Sequence, residues 1–166
     1  MLILVCGLPG SGKTRVAREI SEKMKISLFR TDEIRKKLFK KPKYTSYEKW
    51  LVYQVMFLLA EAFLENKMSV ILDATFPWRS ARMRAIKIAE RYKTSFRIIE
   101  VKCPEEILLK RIARRFKKGG LSDADENIYF KIKKEFEPIS DKHPVIDTSG
   151  DFEETKAQIL KIIRDF

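Results

Sequence analysis

The chain holds one histidine and two cysteines among 166 residues, and each scarcity removes a class of chemistry. His143 has no second histidine to pair with, so it gives no metal site, and its place before Pro144 reads as structural. Cys6 and Cys103 each close an apolar segment. They read as small core residues in a reducing compartment, not as a disulfide framework or a zinc site. Long apolar runs are missing as well. The opening run Leu2-Ile3-Leu4-Val5-Cys6 is broken at once by Gly7 and Pro9, unlike a secretory leader. Residues 50–60 are strongly apolar but far short of a bilayer span, and Lys49 and Glu61 bound them. A soluble cytoplasmic protein with no membrane partner is the expectation.

Acidic residues are in deficit, 23 against 35 lysines and arginines, for a net charge of +12. A high charged fraction can accompany life at high temperature, but that enrichment raises Lys and Glu together and leaves no net charge. The excess is clustered in residues 30–49, 79–93 and 110–118, and the rest of the chain is slightly acidic. Clustered positive charge suits a polyanion such as nucleic acid. Solvated helix faces combined with contacts to nucleotide phosphates account for it equally well.

What the chain does contain is a complete phosphate-binding loop, Gly7-Leu8-Pro9-Gly10-Ser11-Gly12-Lys13-Thr14. The apolar run before it reads as a strand buried on both faces. After it, Val16, Ala17 and Ile20 recur with a helical rhythm. A glycine-rich turn between a buried strand and a helix start aims several backbone N–H groups at one point, and the helix dipole adds to the field. Gly7, Pro9, Gly10, Ser11 and Gly12 therefore cradle a triphosphate. Lys13 reaches its β- and γ-phosphates, and the Thr14 hydroxyl takes one Mg²⁺ position. ATP and Mg²⁺ are the expected ligands.

Apolar runs alternate with helical patterns along the remaining chain, which predicts an α/β fold: a parallel sheet with right-handed crossovers and helices on both faces. Strands are expected at 2–6, 26–30, 69–74, 96–102 and 144–147. Helices are expected at 13–24, 32–39, 45–66, 79–92, 104–118, 122–136 and 151–165, all within one domain spanning 1–166. Pro104 suits a first helical position, Gly119-Gly120 a helix stop and Ser122 an N-cap. In helix 45–66, Tyr47, Trp50, Leu51, Val55, Leu58, Ala62 and Phe63 form a stripe that reads as the core face. Val52, Tyr53, Met56, Phe57 and Leu64 make the other faces apolar too. Such a helix is buried by something: a lid, a substrate wall or a second copy of the chain.

Binding a triphosphate does not say what is done with it. The apolar segment Val70-Ile71-Leu72-Asp73 ends in a carboxylate at the strand end, where ligands gather in such sheets. Asp73 either serves Mg²⁺ or an active-site arginine, or caps a helix. A GTPase is disfavoured, because Phe76 follows Asp73-Ala74-Thr75 where that class has a glycine, and Asn66-Lys67-Met68-Ser69 lacks the aspartate that reads guanine. Asp32 and Arg35 lie one helical turn apart after the second strand. A carboxylate that orients and deprotonates a hydroxyl, beside a cation that holds an anionic acceptor, is what phosphoryl transfer requires. The plain alternative is a helix cap with a solvated arginine. Arg111, Arg114, Arg115 and Lys118 share one face of helix 104–118 before Gly119-Gly120, which suits a lid over about 104–122 that closes on ATP and excludes water. A solvated basic face is the alternative. The aromatics Phe76 and Trp78 beside the cleft either stack on a base or pack against helix 79–92.

The ordered set GLPGSGKT, FRTDEIR, VILDATF, RIARR and SDADENIYFKIKKEFEP resembles the P-loop kinases grouped around phage polynucleotide 5′-kinase, from Met1 to about Pro138. Zeta-toxin-like and gluconate-type kinases are more distant relatives. The resemblance implies a P-loop NTPase three-layer fold with strand order 2-3-1-4-5. It implies Lys13 and Thr14 on phosphates and Mg²⁺, Asp32 as general base, Arg35 on the acceptor's 3′-side phosphate, and Asp73 as an active-site carboxylate. One of Arg111, Arg114 and Arg115 would be the lid arginine, and adenine contacts would come from the loop containing Thr148 and Ser149. The implied activity is ATP-dependent phosphorylation of a hydroxyl, a polynucleotide 5′-OH being favoured. A sugar, nucleoside or other metabolite is the alternative acceptor, and a non-catalytic ATP-binding module a third reading.

Overall fold

Five short apolar segments pair as parallel strands, and the helices between them cover both faces of the sheet. The computed structural model describes residues 1–117 and 126–166, with the backbone alone at 115–117. The elements run β1 (Leu2–Cys6), α1 (Lys13–Met24), β2 (Ser27–Arg30), α2 (Thr31–Leu38), α3 (Ser46–Glu65), β3 (Val70–Asp73) and α4 (Arg79–Arg91). They continue with β4 (Phe96–Lys102), α5 (Glu105–Lys117), α6 (Glu126–Glu135), β5 (Val145–Asp147) and α7 (Phe152–Arg164). The sheet order is β2-β3-β1-β4-β5, as the family resemblance implies. The Ser122 cap and the Gly119-Gly120 stop lie outside the described residues.

β1 is the central strand and is fully buried along its length. Its side chains alternate between two cores, as the period of a strand requires. Leu2, Leu4 and Cys6 face α3 and α4, meeting Val52, Met56, Phe57, Ala85 and Ile88. Ile3 and Val5 face α1 and α7, meeting Val16, Ala17, Ile20 and Ile159. Each of these large side chains contributes about 1.5–3 kcal/mol by leaving water. Burial also pushes the Cys6 thiol up to about 12, so it stays neutral, as a core residue should.

The core face expected for α3 is wrong. Tyr47, Trp50 and Leu58 are 65 %, 55 % and 65 % exposed, while Val52, Tyr53, Met56, Phe57, Ala60 and Leu64 are buried. A helix that is apolar all round carries no phase in its periodicity, so tertiary packing chose the face. The start of α2 also differs: the helix begins at Thr31, so Asp32 lies in its first turn and not at its cap.

The register places the site. Val5 pairs with Asp73, and Arg30 pairs with Asp73 from the other side. The carboxyl ends of β2, β3 and β1 therefore open side by side, and the loop after β1 lies where the chain's crossovers diverge to the two halves of the sheet.

Candidate active site

The phosphate loop joins β1 to α1 with a backbone that side chains would obstruct. Gly7 has φ +145, and a Cβ there would meet the Val101 carbonyl at 2.4 Å. Gly10 has φ +86, and its Cβ would meet the Leu108 carbonyl of α5 at 2.9 Å. Both positions need glycine for conformation and for close approach. Ser11 N–H donates to Leu8 O at 3.1 Å and closes the turn. Lys13 and Thr14 then open α1 at its positive end.

Thr14 Oγ1 donates to Asp73 Oδ2 at 2.7 Å. Arg30 Nε donates to the same oxygen at 3.3 Å, and its Nη1 pairs with Glu33. Asp73 is 3 % exposed, and burial pushes its carboxyl up against the opposing influence of Lys13, the Thr14 hydroxyl and Arg30. Its Oδ1 is buried with no hydrogen-bond partner among the described residues. An orphaned buried carboxylate oxygen beside a threonine hydroxyl is a hard-oxygen donor set, and it fits Mg²⁺, which takes few protein ligands and keeps several waters. No cluster of three His, Cys, Asp or Glu suited to a metal exists among the described residues, so a closed structural metal centre is not what this set resembles.

One cavity brings Lys13, Thr14 and Asp73 together with Asp32 and Arg35. Its outer wall comes from Tyr44, from Lys49 of α3 and from Ile128 and Lys131 of α6. Arg35 is 6 % exposed; its guanidinium lies over the Tyr44 ring at 4.7 Å and its Nη1 stands 4.0 Å from Glu48. Its Nε and Nη1 nevertheless lack hydrogen-bond partners. Glu48 is occupied elsewhere, accepting from Lys43 N at 2.9 Å and from Tyr44 N at 2.6 Å. Thr45 caps α3 by accepting from Glu48 N at 3.2 Å, so this acid is three residues beyond a cap, a pattern legible in the sequence.

A second cavity is lined by Gly10, Gly12, Arg15, Arg111, Arg114, Thr148, Asp151 and Phe152 among others. The Arg15 guanidinium stacks 3.4 Å above the Phe152 ring. Arg111 is held on the loop after β5: its Nη1 donates to Thr148 Oγ1 at 3.0 Å and its Nη2 to Thr148 O at 2.6 Å. Thr148 Oγ1 in turn donates to Ser11 O at 2.6 Å, which joins α5, the β5 end and the phosphate loop. Ser149 is exposed, does not line this cavity, and donates its N–H to Asp147 Oδ1 at 2.7 Å. Pro9 lines the first of these cavities and Gly7 lies against the β4 end. The Arg115 side chain and the outer part of the lid lie outside the described residues.

Several residues counted as surface charge or ring platforms are neither. Arg82 is 4 % exposed and donates to the carbonyls of Phe76, Pro77, Glu137 and Pro138, stapling the β3–α4 loop to the segment after α6. Phe76 is fully buried, edge-on to Tyr53 at 5.3 Å, and so cannot stack on a base. His143 bonds Glu100 Oε2 at 2.9 Å and the Asp141 carbonyl, a structural role. Arg30, Lys49, Tyr53 and Lys131 were not singled out from the sequence. Only Arg30 had a signal, a charge at the end of an otherwise apolar strand.

Residues 2–139 match the family described as an AAA domain. The chain is 34 % identical over 139 residues to L-seryl-tRNA(Sec) kinase of Methanococcus maripaludis, covering 80 % of this chain and 52 % of that protein. It is 27 % identical over 117 residues to a probable adenylyl-sulfate kinase of Archaeoglobus fulgidus, covering 66 % and 72 %. The chain thus spans about half the length of the first of these relatives, and it spans 34 % of a mycobacterial protein that it matches at 30 % identity. In fold it superposes on Chaetomium thermophilum Kti12 in complex with ADP-AlF3 with a TM-score of 0.79 at 19 % identity, covering 99 % and 98 %. By the family match over most of its length, the chain belongs to the AAA domain family.

Proposed function

We propose that the chain is a phosphotransferase that moves the γ-phosphate of ATP to the hydroxyl of a low-molecular-weight acceptor bearing an anionic group. The observation that carries this is the single cavity shared by Lys13, Thr14, Asp73, Asp32 and Arg35. A donor site and an acceptor site opening onto one space are what direct in-line transfer requires. The relative named as a probable adenylyl-sulfate kinase supports a small anionic acceptor.

Lys13 and the loop N–H groups hold the triphosphate, and Thr14 with Asp73 would hold Mg²⁺, which when bound neutralises charge on the phosphates. Asp32 orients the attacking hydroxyl and takes its proton as the O–P bond forms. Arg35, buried and short of hydrogen-bond partners, grips the acceptor's anionic group. Arg111 and Arg114 close the donor side. Transfer of label from γ-labelled ATP, screened over hydroxylated metabolites and oligonucleotides, tests the reading. Transfer to one acceptor is expected, and ATP binding without transfer to any would leave only a regulatory module.

A polynucleotide acceptor is the second reading, favoured by the +12 charge and by the seryl-tRNA kinase relative, whose named substrate is a charged tRNA. It predicts transfer that weakens steeply with salt as counterions are released, whereas a small acceptor should show a far shallower dependence.

A further inference from the structure

We infer that the acceptor cavity holds a second anion subsite, made by Lys49 of α3 and Lys131 of α6, so that the acceptor carries two negative charges near its reacting hydroxyl, as a phosphomonoester dianion does. The inference rests on the phosphotransferase reading and specifies its substrate class. Lys49 and Lys131 line the same cavity as Arg35. Two carboxylates line that cavity, Asp73 and Asp32, the base of the proposed reaction, and Glu48 and Glu135 stand beside its cations. Asp73 is bonded to Thr14 and Arg30, Glu48 to backbone N–H groups, and Glu135 sits 3.9 Å from Lys49 without a hydrogen bond to its buried Oε2. Lys131 has no carboxylate within ion-pair distance among the described residues.

Arg35, Lys49 and Lys131 therefore face one space, which Lys13 and Arg30 also line, and the carboxylates nearest them make only long contacts, Glu48 4.0 Å from Arg35 and Glu135 3.9 Å from Lys49. Burial lowers the proton affinity of the Lys49 ammonium, Glu135 opposes this, and Lys131 and Arg35 lower it further. Like charges gathered around a partly dry cavity repel one another unless an anion enters. The Lys49 ammonium also lies 4.8 Å over the Trp78 ring, a contact that restrains its side chain. A singly charged acceptor would satisfy Arg35 alone. A dianion, or two adjacent anionic groups, would satisfy all three.

The probe is inorganic phosphate, titrated calorimetrically into the full chain with the donor site filled by a non-hydrolysable ATP analogue and Mg²⁺. Phosphate is expected to bind the loaded protein, and Lys49→Gln and Lys131→Gln are each expected to weaken it about fivefold or more. Both lysines are partly or fully exposed, so the variants should keep the wild-type melting temperature. Phosphate binding that is absent from the loaded protein, or equal in both variants and wild type, overturns the subsite. The same variants in the label-transfer assay should raise KM for phosphorylated acceptors and leave KM for ATP unchanged. A lysine effect on oligonucleotides but not on phosphorylated metabolites would overturn the small dianion in favour of a strand end. If phosphate binds with the expected lysine dependence while no acceptor is phosphorylated, the subsite stands and the phosphotransferase reading fails. If transfer proceeds without any lysine dependence, the reverse holds.

Discussion

In the phosphate loop, eight consecutive residues from Gly7 to Thr14 form a backbone cradle, and Gly7 and Gly10 in it are set by contacts with Val101 and Leu108. Beside it, Asp32, Arg35, Lys49 and Lys131 come from three helices, and their chemistry lies entirely in side chains. Backbone N–H groups and a helix terminus read only charge and spacing, so a site of the first kind suits any triphosphate. The second kind can be altered one residue at a time without touching the first. Under the proposed function, donor and acceptor specificity should therefore be separable.

The sharpest way to test that separation is Asp32→Asn. Phosphate transfer is expected to fall by about 10²–10⁴-fold, the usual share of a general base, while nucleotide affinity measured by titration stays unchanged. Loss of both together would mean that the two sides are one unit. Gly7→Ala should do the converse. A Cβ 2.4 Å from a backbone carbonyl at φ +145 cannot be relieved by a side-chain movement. A stability loss of roughly 3 kcal/mol in denaturant melts is expected, with nucleotide binding weakened alongside. Smaller still is Thr148→Val, which removes the hydroxyl that donates to Ser11 and accepts from Arg111. About 1–2 kcal/mol of stability and a weaker ATP KM are expected, with the acceptor KM unmoved. An acceptor effect here would show that α5 couples the two sides.

The same division decided what could be read from residues alone. The phosphate loop and the Asp32, Arg35 and Asp73 candidates were legible, because each depends on local spacing or on a strand end, whereas the strand order followed only from the family resemblance. The inner face of α3 was not. Residues on every side of that helix are apolar, so Trp50 and Leu58 could be placed inside and Met56 outside with no penalty in the pattern. The charge clusters misled in the same way. Arg30, Arg35 and Arg82 count toward the +12 but are buried against carboxylates, a ring and carbonyls, so part of the apparent basic surface is internal structure.

The glycine turn between a buried strand and a helix start was readable from residues 2–20 alone, since that pattern has few other geometries. Only the tertiary structure decided which charges share a cavity. Lys49 and Lys131 lie far from the loop in sequence, and their meeting with Arg35 depends on how α3 and α6 pack, which no local pattern encodes.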